Sequence, residues 1–291
     1  MQKITKQRKY YFDNNIFSKI DTAEKAYWIG FLYADGYVCS KRKVFGVALK
    51  ESDRAHLVKF CDFIKINSYD CIRYSDKTRS YKVELNDTEI YSQLKEIGFN
   101  SQKSYDNDDS IFYKIPNDLK KFFILGLIDG DGYVSVSEGT QKNLVGIVSN
   151  NNKMLEAVST FLCEIFKDKT FVKVINYDYP RIRLSRAKAY KVMTYLYENA
   201  PVFLERKFEN YKKFTLPASK YNRPYKYLQK LPSGRFFIKT PSINKKQQTI
   251  GTFDSIEEAI NAFNLKAEEF GFKKQEYIGE LLEWSELNGK S

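Results

Sequence analysis

The stretch that decides the fold is FFILGLIDGDGYVSV, residues 122–136, read beside AYWIGFLYADGYVCS, residues 26–40. Aligned without a gap, WIGFLYADG at 28–36 lies over ILGLIDGDG at 124–132, so that Asp35 matches Asp131 and Tyr33 matches Asp129. Apolar runs of this kind belong in a core, yet both copies finish on a carboxylate, which is costly to bury unless something pairs with it. Small residues recur at i, i+4 in both copies, Gly30 with Ala34 and Gly126 with Gly130, a spacing that lies on one helix face. Two helices packed through those faces approach closely and bring Asp35 and Asp131 together at their ends. The helix C-terminus already disfavours negative charge and the carboxylates repel each other, so a shared divalent cation resolves both conflicts. Asp129, with no acid opposite it in the first copy, is assigned to local hydrogen bonding.

The echo runs well beyond the motif. Each copy continues with a short alternating strand (YVCS; YVSVS), a second strand (VFGVAL; LVGIVS) and a helix opening at Ser52 or near Asn150. Two more strands follow (DCIRYS and YKVEL; FVKVIN and RIRLS), then a further helix. The alternation predicts an α+β fold of two pseudo-symmetric αββαββα repeats, residues 1–110 and 111–220, each carrying a four-stranded sheet. Asp21 is the expected N-cap of the first motif helix, with Glu24 completing a capping box, and Asn117 that of the second. Both helices are expected to end on a left-handed glycine, Gly36 and Gly132.

With 48 Lys and Arg against 36 Asp and Glu in 291 residues, the net charge of +12 favours a polyanionic partner. An AT-rich genome also enriches Lys, so the charge permits nucleic acid without requiring it. Cys39, Cys61, Cys71 and Cys163 form no C-x-x-C pair, and MQKITKQRKYYFDNN lacks the apolar core of a signal peptide. Reduced cysteines in a soluble, intracellular protein are expected, cytoplasmic if the source is bacterial or phage. The longest apolar run, FFILGLI, is far shorter than a membrane span, which needs ~20 residues. His56 is the only histidine and is expected on a helix surface. Histidine-based triads and metal centres are thereby disfavoured, leaving carboxylates, lysines and a bound ion to carry any catalysis. DGDG does not continue as a calcium loop, because Tyr133 and Val134 stand where such a loop needs an acid and a glycine.

The paired nine-residue motifs, each trailed by the same order of strands and helices, resemble the double LAGLIDADG motif of single-chain homing endonucleases over roughly residues 20–215. The resemblance implies that Asp35 and Asp131, at the eighth motif position, hold the catalytic metal, with Mg²⁺ the expected ion. Tyr33 departs from the acid common at the sixth position. The family's basic residue after each repeat corresponds to Lys103 in GFNSQKS and Lys207 in FLERKF. The same resemblance implies metal-dependent hydrolysis of both strands of double-stranded DNA at a long site, by an intron-encoded monomer. The strands would form a saddle over the major groove, and alternation selects Arg73, Lys82, Lys173, Arg181 and Arg183 as its base- and phosphate-contacting residues.

From Tyr225 to about Gly271 the pattern changes to three strands and a helix, assigned to residues 221–275, with a tail at 276–291 offering another helix. SGRFFIKT and IGTFDSIEEAINAFNLKAEEFG resemble the Apetala-two DNA-binding domain, without its sheet tryptophan. That resemblance implies groove contacts from Arg235, Lys239, Gln247 and Thr249, with Phe236, Ile238, Ile250, Ala259 and Phe263 holding sheet to helix.

Two other roles fit the same fold: an intron maturase acting on RNA, and a non-catalytic DNA-binding regulator. Retention of both motif acids favours the nuclease. The ends of the chain lack the nucleophile and His-Asn pair of protein splicing, so a free-standing product is expected.

Overall fold

A computed structural model describes residues 9–100, 107–137, 142–176, 178–214, 225, 227–242 and 246–275. The chain divides into two compact units, residues 1–215 and 216–291, and each is described by itself.

In the first unit, the first repeat runs α1 (Ala23–Ala34), β1 (Gly36–Cys39), β2 (Val44–Lys50), α2 (Arg54–Phe63), β3 (Ile72–Ser75), β4 (Ser80–Asn86) and α3 (Thr88–Ile97). After the short α4 (Ser110–Lys114), the second repeat runs α5 (Lys120–Asp131), β5 (Gly132–Ser137), β6 (Lys142–Val148), α6 (Asn152–Ile165), β7 (Val174–Asn176), β8 (Pro180–Ser185) and α7 (Arg186–Tyr197), with α8 (Glu205–Lys212) closing the unit. The sheets are antiparallel with matching strand orders, β1-β2-β4-β3 and β5-β6-β8-β7. The mixed α+β architecture and the repeat order expected from the alternation are present.

Helices α1 and α5 are apolar on nearly every side because they run through one core built from both repeats; Tyr27, Trp28, Ile29, Phe31, Phe123, Ile124 and Leu125 are all fully buried. Their starts and stops differ from expectation. Thr22 caps α1, its Oγ1 accepting from Lys25 N at 3.2 Å, while Asp21 pairs instead with Lys25 Nζ at 2.9 Å. Asn117 lies in a turn ahead of α5, and Leu119 stands at the cap position with no side-chain bond. Neither motif glycine is left-handed. Gly132 is extended, φ −93° and ψ 177°, and each glycine is already the first residue of a strand. They are required for space: a Cβ on Gly36 would fall 2.5 Å from Leu32 O, and one on Gly132 would fall 2.6 Å from Ile128 O.

The second unit forms an antiparallel sheet, β9 (Leu228–Lys230), β10 (Phe236–Lys239) and β11 (Thr249–Phe253), in the order β11-β10-β9, followed by α9 (Ile256–Phe270). Tyr225, Leu228, Phe236, Ile238, Ala259, Ile260 and Phe263 are buried between sheet and helix, with Ile250 at the margin. The helix suggested at 276–291 lies outside the described residues. Among the described residues, no helix is long and apolar enough to cross a membrane.

Candidate active site and nucleic-acid face

Glycine sets the closeness of α1 and α5. A Cβ on Gly30 would sit 2.1 Å from Phe123 O, and one on Gly126 would sit 2.2 Å from Tyr27 O, so backbone packs on backbone. At the far end, a Cβ on Gly130 would sit 2.3 Å from Ala34 Cβ and 3.5 Å from the carboxyl carbon of Asp35. Asp35 therefore abuts the residue that precedes Asp131. Both acids are exposed, at helix ends whose other residues are largely buried. Tyr33, Ala34, Asp131, Asn151 and Tyr179 line a cleft there.

Lys207, on α8, is buried and reaches beneath this site. Its Nζ donates to Ile128 O, Asp129 O and Gly132 O, each at 2.6 Å, and also to Gly130 O at 3.2 Å. Three of these carbonyls belong to the last turn of α5, where the ammonium serves as a cap beside the Gly132 N–H that bonds Ile128 O, and offsets the helix dipole. Burial pushes the lysine pKa down to about 8, against the opposing pull of Asp129, Asp35 and Asp131. Lys207 thus lies in the electrostatic field of both motif acids, bonded to the carbonyls of Gly130 and Gly132 on either side of the second. Lys103 lies outside the described residues.

Asp129 is hydrogen-bonded, but not locally: its partners stand 102 and 75 residues away along the chain. Its Oδ2 accepts from Tyr27 OH and from Leu204 N, both at 2.8 Å, which ties α5 to α1 and to the start of α8. Burial raises its pKa to about 6 despite the bond from Leu204 and the charge of Lys207. His56 is 2% exposed, not a surface residue, and its Nε2 lies 2.9 Å from Tyr27 OH. Because the phenol donates to Asp129, it accepts from His56, which requires the Nε2–H tautomer. Burial lowers the His56 pKa to about 3, so the ring is neutral. Arg206 adds a second tie between the repeats: its Nη2 donates to buried Asp53 Oδ2 at 2.9 Å. Sequence reasoning missed His56 and Asp53 because their partners stand 29 and 153 residues away along the chain.

The two sheets each offer an open face. On β8, Ile182 and Leu184 point into the core, leaving Arg181 and Arg183 together on the other side. On β4, Val83 and Leu85 are buried; Lys82 lies on the opposite face, directly across from Arg73 on β3. Lys173 is exposed but precedes β7 instead of lying within it, because that strand begins at Val174. Lys50, opposite Ser80, joins the first open face and was not foreseen. Nor was Glu84, which has the same parity as Lys82; its Oε2 accepts from Tyr37 OH at 2.6 Å and its Oε1 from Arg42 Nη1 at 3.2 Å. The strand alternation had already placed Glu84 on that face, but its charge has the wrong sign for a phosphate contact.

In the second unit, Phe237 and Lys239 share the face opposite Phe236 and Ile238, with Lys239 Nζ 5.3 Å from the Phe237 ring centre. Arg235 precedes β10 and pairs with Asp254 at 2.7 Å. Thr249, opposite Lys239, and Gln247 are exposed.

A twin-repeat α+β unit with one acid at the end of each central helix is thus defined by geometry alone. Residues 118–188, from the second motif helix to the first turn of α7, match the model of the LAGLIDADG-like domain. Among solved structures, the chain is similar to the homing endonuclease I-WcaI bound to its DNA recognition sequence (11% identity, 66% of this chain and 87% of that one, TM-score 0.47). It is also similar to the I-LtrWI LAGLIDADG homing endonuclease bound to target DNA (12%, 66% and 89%, 0.43) and to the LAGLIDADG meganuclease I-AabMI bound to uncleaved DNA (13%, 64% and 87%, 0.43). Transcription initiation factor IIB of Methanocaldococcus jannaschii is 23% identical over 163 residues, which are 52% of this chain; the chain spans only 23% of that relative's length.

Proposed function

We propose that the chain is a site-specific endonuclease that hydrolyses both strands of double-stranded DNA with Mg²⁺ held by Asp35 and Asp131. The observation that carries this reading is the meeting of Asp35 with the Gly130-Asp131 turn, at the ends of two helices locked together by glycine. The donor set suits the ion. Among the described residues no group of three or more His, Cys, Asp or Glu could hold a metal, so the protein offers two hard carboxylate oxygens and little else. Mg²⁺ is commonly bound in that way, through one or two carboxylates, with phosphate oxygens and water completing its shell. When bound, the ion polarises a non-bridging phosphate oxygen, lowers the pKa of the attacking water and stabilises the leaving 3′ oxygen.

The residues of the chain supply position and charge. Lys207 fixes the carbonyl end of α5 and with it the backbone of Asp131. Lys103 is assigned the corresponding charge after the first repeat, offsetting negative charge that develops on phosphate. Arg73 and Lys82 on one sheet, and Arg181 and Arg183 on the other, face the major groove of two half-sites; Lys173 contacts the flanking phosphates. One chain carries both motifs, so a monomer suffices. The second unit acts as an Apetala-two-like DNA-binding module, using Phe237, Lys239, Thr249 and Gln247, with Arg235 held at the strand entrance by Asp254.

The test is a cleavage selection from a randomised double-stranded DNA library in Mg²⁺, run beside Asp131→Asn. Cut junctions enriched by the wild type and absent from the variant are expected. Uncut DNA in both samples, with RNA retained in a parallel binding assay, would overturn the nuclease reading in favour of an RNA role.

A further inference from the structure

The open faces of the two sheets are alike in construction and opposite in charge at one matched position. Two residues beyond each motif acid stands a tyrosine, Tyr37 or Tyr133, and each lies across its sheet from a glycine, Gly46 or Gly146. The glycines make room for the rings: a Cβ would fall 2.7 Å from Tyr37 Oη in one sheet and 2.6 Å from the Tyr133 ring in the other. The next residue in the same row is Glu84 in the first sheet and Arg183 in the second. Pseudo-equivalent positions, on the same rung of each sheet, therefore carry a carboxylate and a guanidinium.

Glu84 is built to remain ionised and fixed. The Tyr37 bond, then the Arg42 bond, hold its carboxyl below the usual carboxylate range, and its side chain keeps 27% of its surface exposed. Each oxygen uses one lone pair on its protein partner and retains capacity toward the open face. A fixed carboxylate repels phosphate, so on a DNA-facing sheet the groups it can meet favourably are the exocyclic amines of base edges. The adenine N6 amine stands beside the N7 acceptor, which a carboxylate also repels. The cytosine N4 amine has no acceptor on its own edge in the major groove, only the O6 of the paired guanine on its other side. Arg183 has the complementary preference, a bidentate contact to guanine O6 and N7.

We infer that Glu84, oriented by Tyr37, reads a cytosine in the first half-site, and that Arg183 reads a guanine at the corresponding step of the second. This inference rests on the proposed DNA role and adds that one matched pair of base contacts in the two repeats is chemically opposite. Tyr37 is a positioning residue: it aims the carboxylate without contacting the base.

The experiment is a binding selection from a randomised double-stranded DNA pool, using the full chain without Mg²⁺, for the wild type, Glu84→Gln, Tyr37→Phe and Arg183→Gln. The wild type should select a G·C pair at matching distances on both sides of the centre. Glutamine pairs with adenine N6 and N7, so Glu84→Gln should convert only the first of these to A·T, and Arg183→Gln only the second. Tyr37→Phe should keep cytosine but lose discrimination at that step on the order of tenfold. An unchanged first-half preference in Glu84→Gln would overturn the inference while leaving the DNA role intact. Failure of the wild type to retain any DNA sequence would overturn both.

Discussion

The sixth motif position holds Tyr33 in the first repeat and Asp129 in the second, and the two side chains do different work. Tyr33 lies at the edge of the cleft, where its hydroxyl accepts from Asn151 Nδ2 at 2.8 Å and donates to Asp108 O at 3.3 Å. It fastens the first motif to the cap of α6 and to the segment between the repeats. Asp129 is buried, and binds α1 through Tyr27 and α8 through Leu204. The eighth position keeps the same acid at an exposed helix end in both repeats, whereas the sixth is free to differ because it serves whatever packs beside it. On the proposed reading, position eight is set by chemistry shared between the repeats; position six is set by the surroundings of each.

The largest effect should come from the part of the interface where the repeats are most alike. Any side chain at Gly30 or Gly126 meets backbone oxygen at 2.1 or 2.2 Å, which only a shift of a whole helix relieves. Gly30→Val and Gly126→Val should each cost about 3 kcal/mol in urea unfolding, the upper range for overpacking. Equal losses would confirm a symmetric seam; a negligible loss at either glycine would show that the helices do not pack as described.

The sixth position should divide the repeats. Asp129→Ala strands the Leu204 amide in the core and leaves the Tyr27 hydroxyl with His56 alone, at ~1–3 kcal/mol for an unsatisfied group. Tyr33→Phe removes two bonds, one of them long, at a partly exposed position and should cost about 1 kcal/mol. A larger loss from Tyr33→Phe than from Asp129→Ala in the same denaturation assay would reverse the roles given to the two residues.

A smaller, pH-dependent difference belongs to His56, which has no counterpart in the second repeat: Val158 stands five residues before Cys163, as His56 stands five before Cys61. Its pKa falls from 6.5 to about 3 on folding, chiefly through burial. Below pH 6.5 the unfolded chain takes up a proton that the folded protein refuses, so stability present above 6.5 is lost as the pH falls toward 3. Between pH 7 and pH 5 this amounts to about 2 kcal/mol. The His56→Gln variant should lack that part of the pH dependence, and identical pH profiles for the two proteins would remove His56 from the account.

Much of this was legible in the sequence. Duplication of the motif revealed the repeats, period-2 alternation gave both sheets, and the i, i+4 glycines gave the seam, because each of these signals is local or repeated. The helix caps were not legible in the same way. Thr22 and Asp21 are adjacent and both suit an N-cap, and the choice depended on Lys25 being available to pair with Asp21. The motif glycines suggested left-handed caps, but the chain enters a strand at once and needs them only to clear the preceding turn. The roles of His56, Asp53 and Lys207 depend on distant partners, and a sequence read one window at a time does not show which backbone a buried cation will reach. Glu84 has the parity of Lys82, and a search for basic residues alone passes over it.

The central claim is that Asp35 and Asp131 form one shared cation site and not two separate ones. The most direct measurement is Mg²⁺-dependent cleavage of each labelled strand of a selected target by Asp35→Asn and by Asp131→Asn, with binding followed in the same samples. The account predicts that each single variant loses double-strand cleavage while retaining the target. Double-strand cleavage at the wild-type rate by either variant would contradict it.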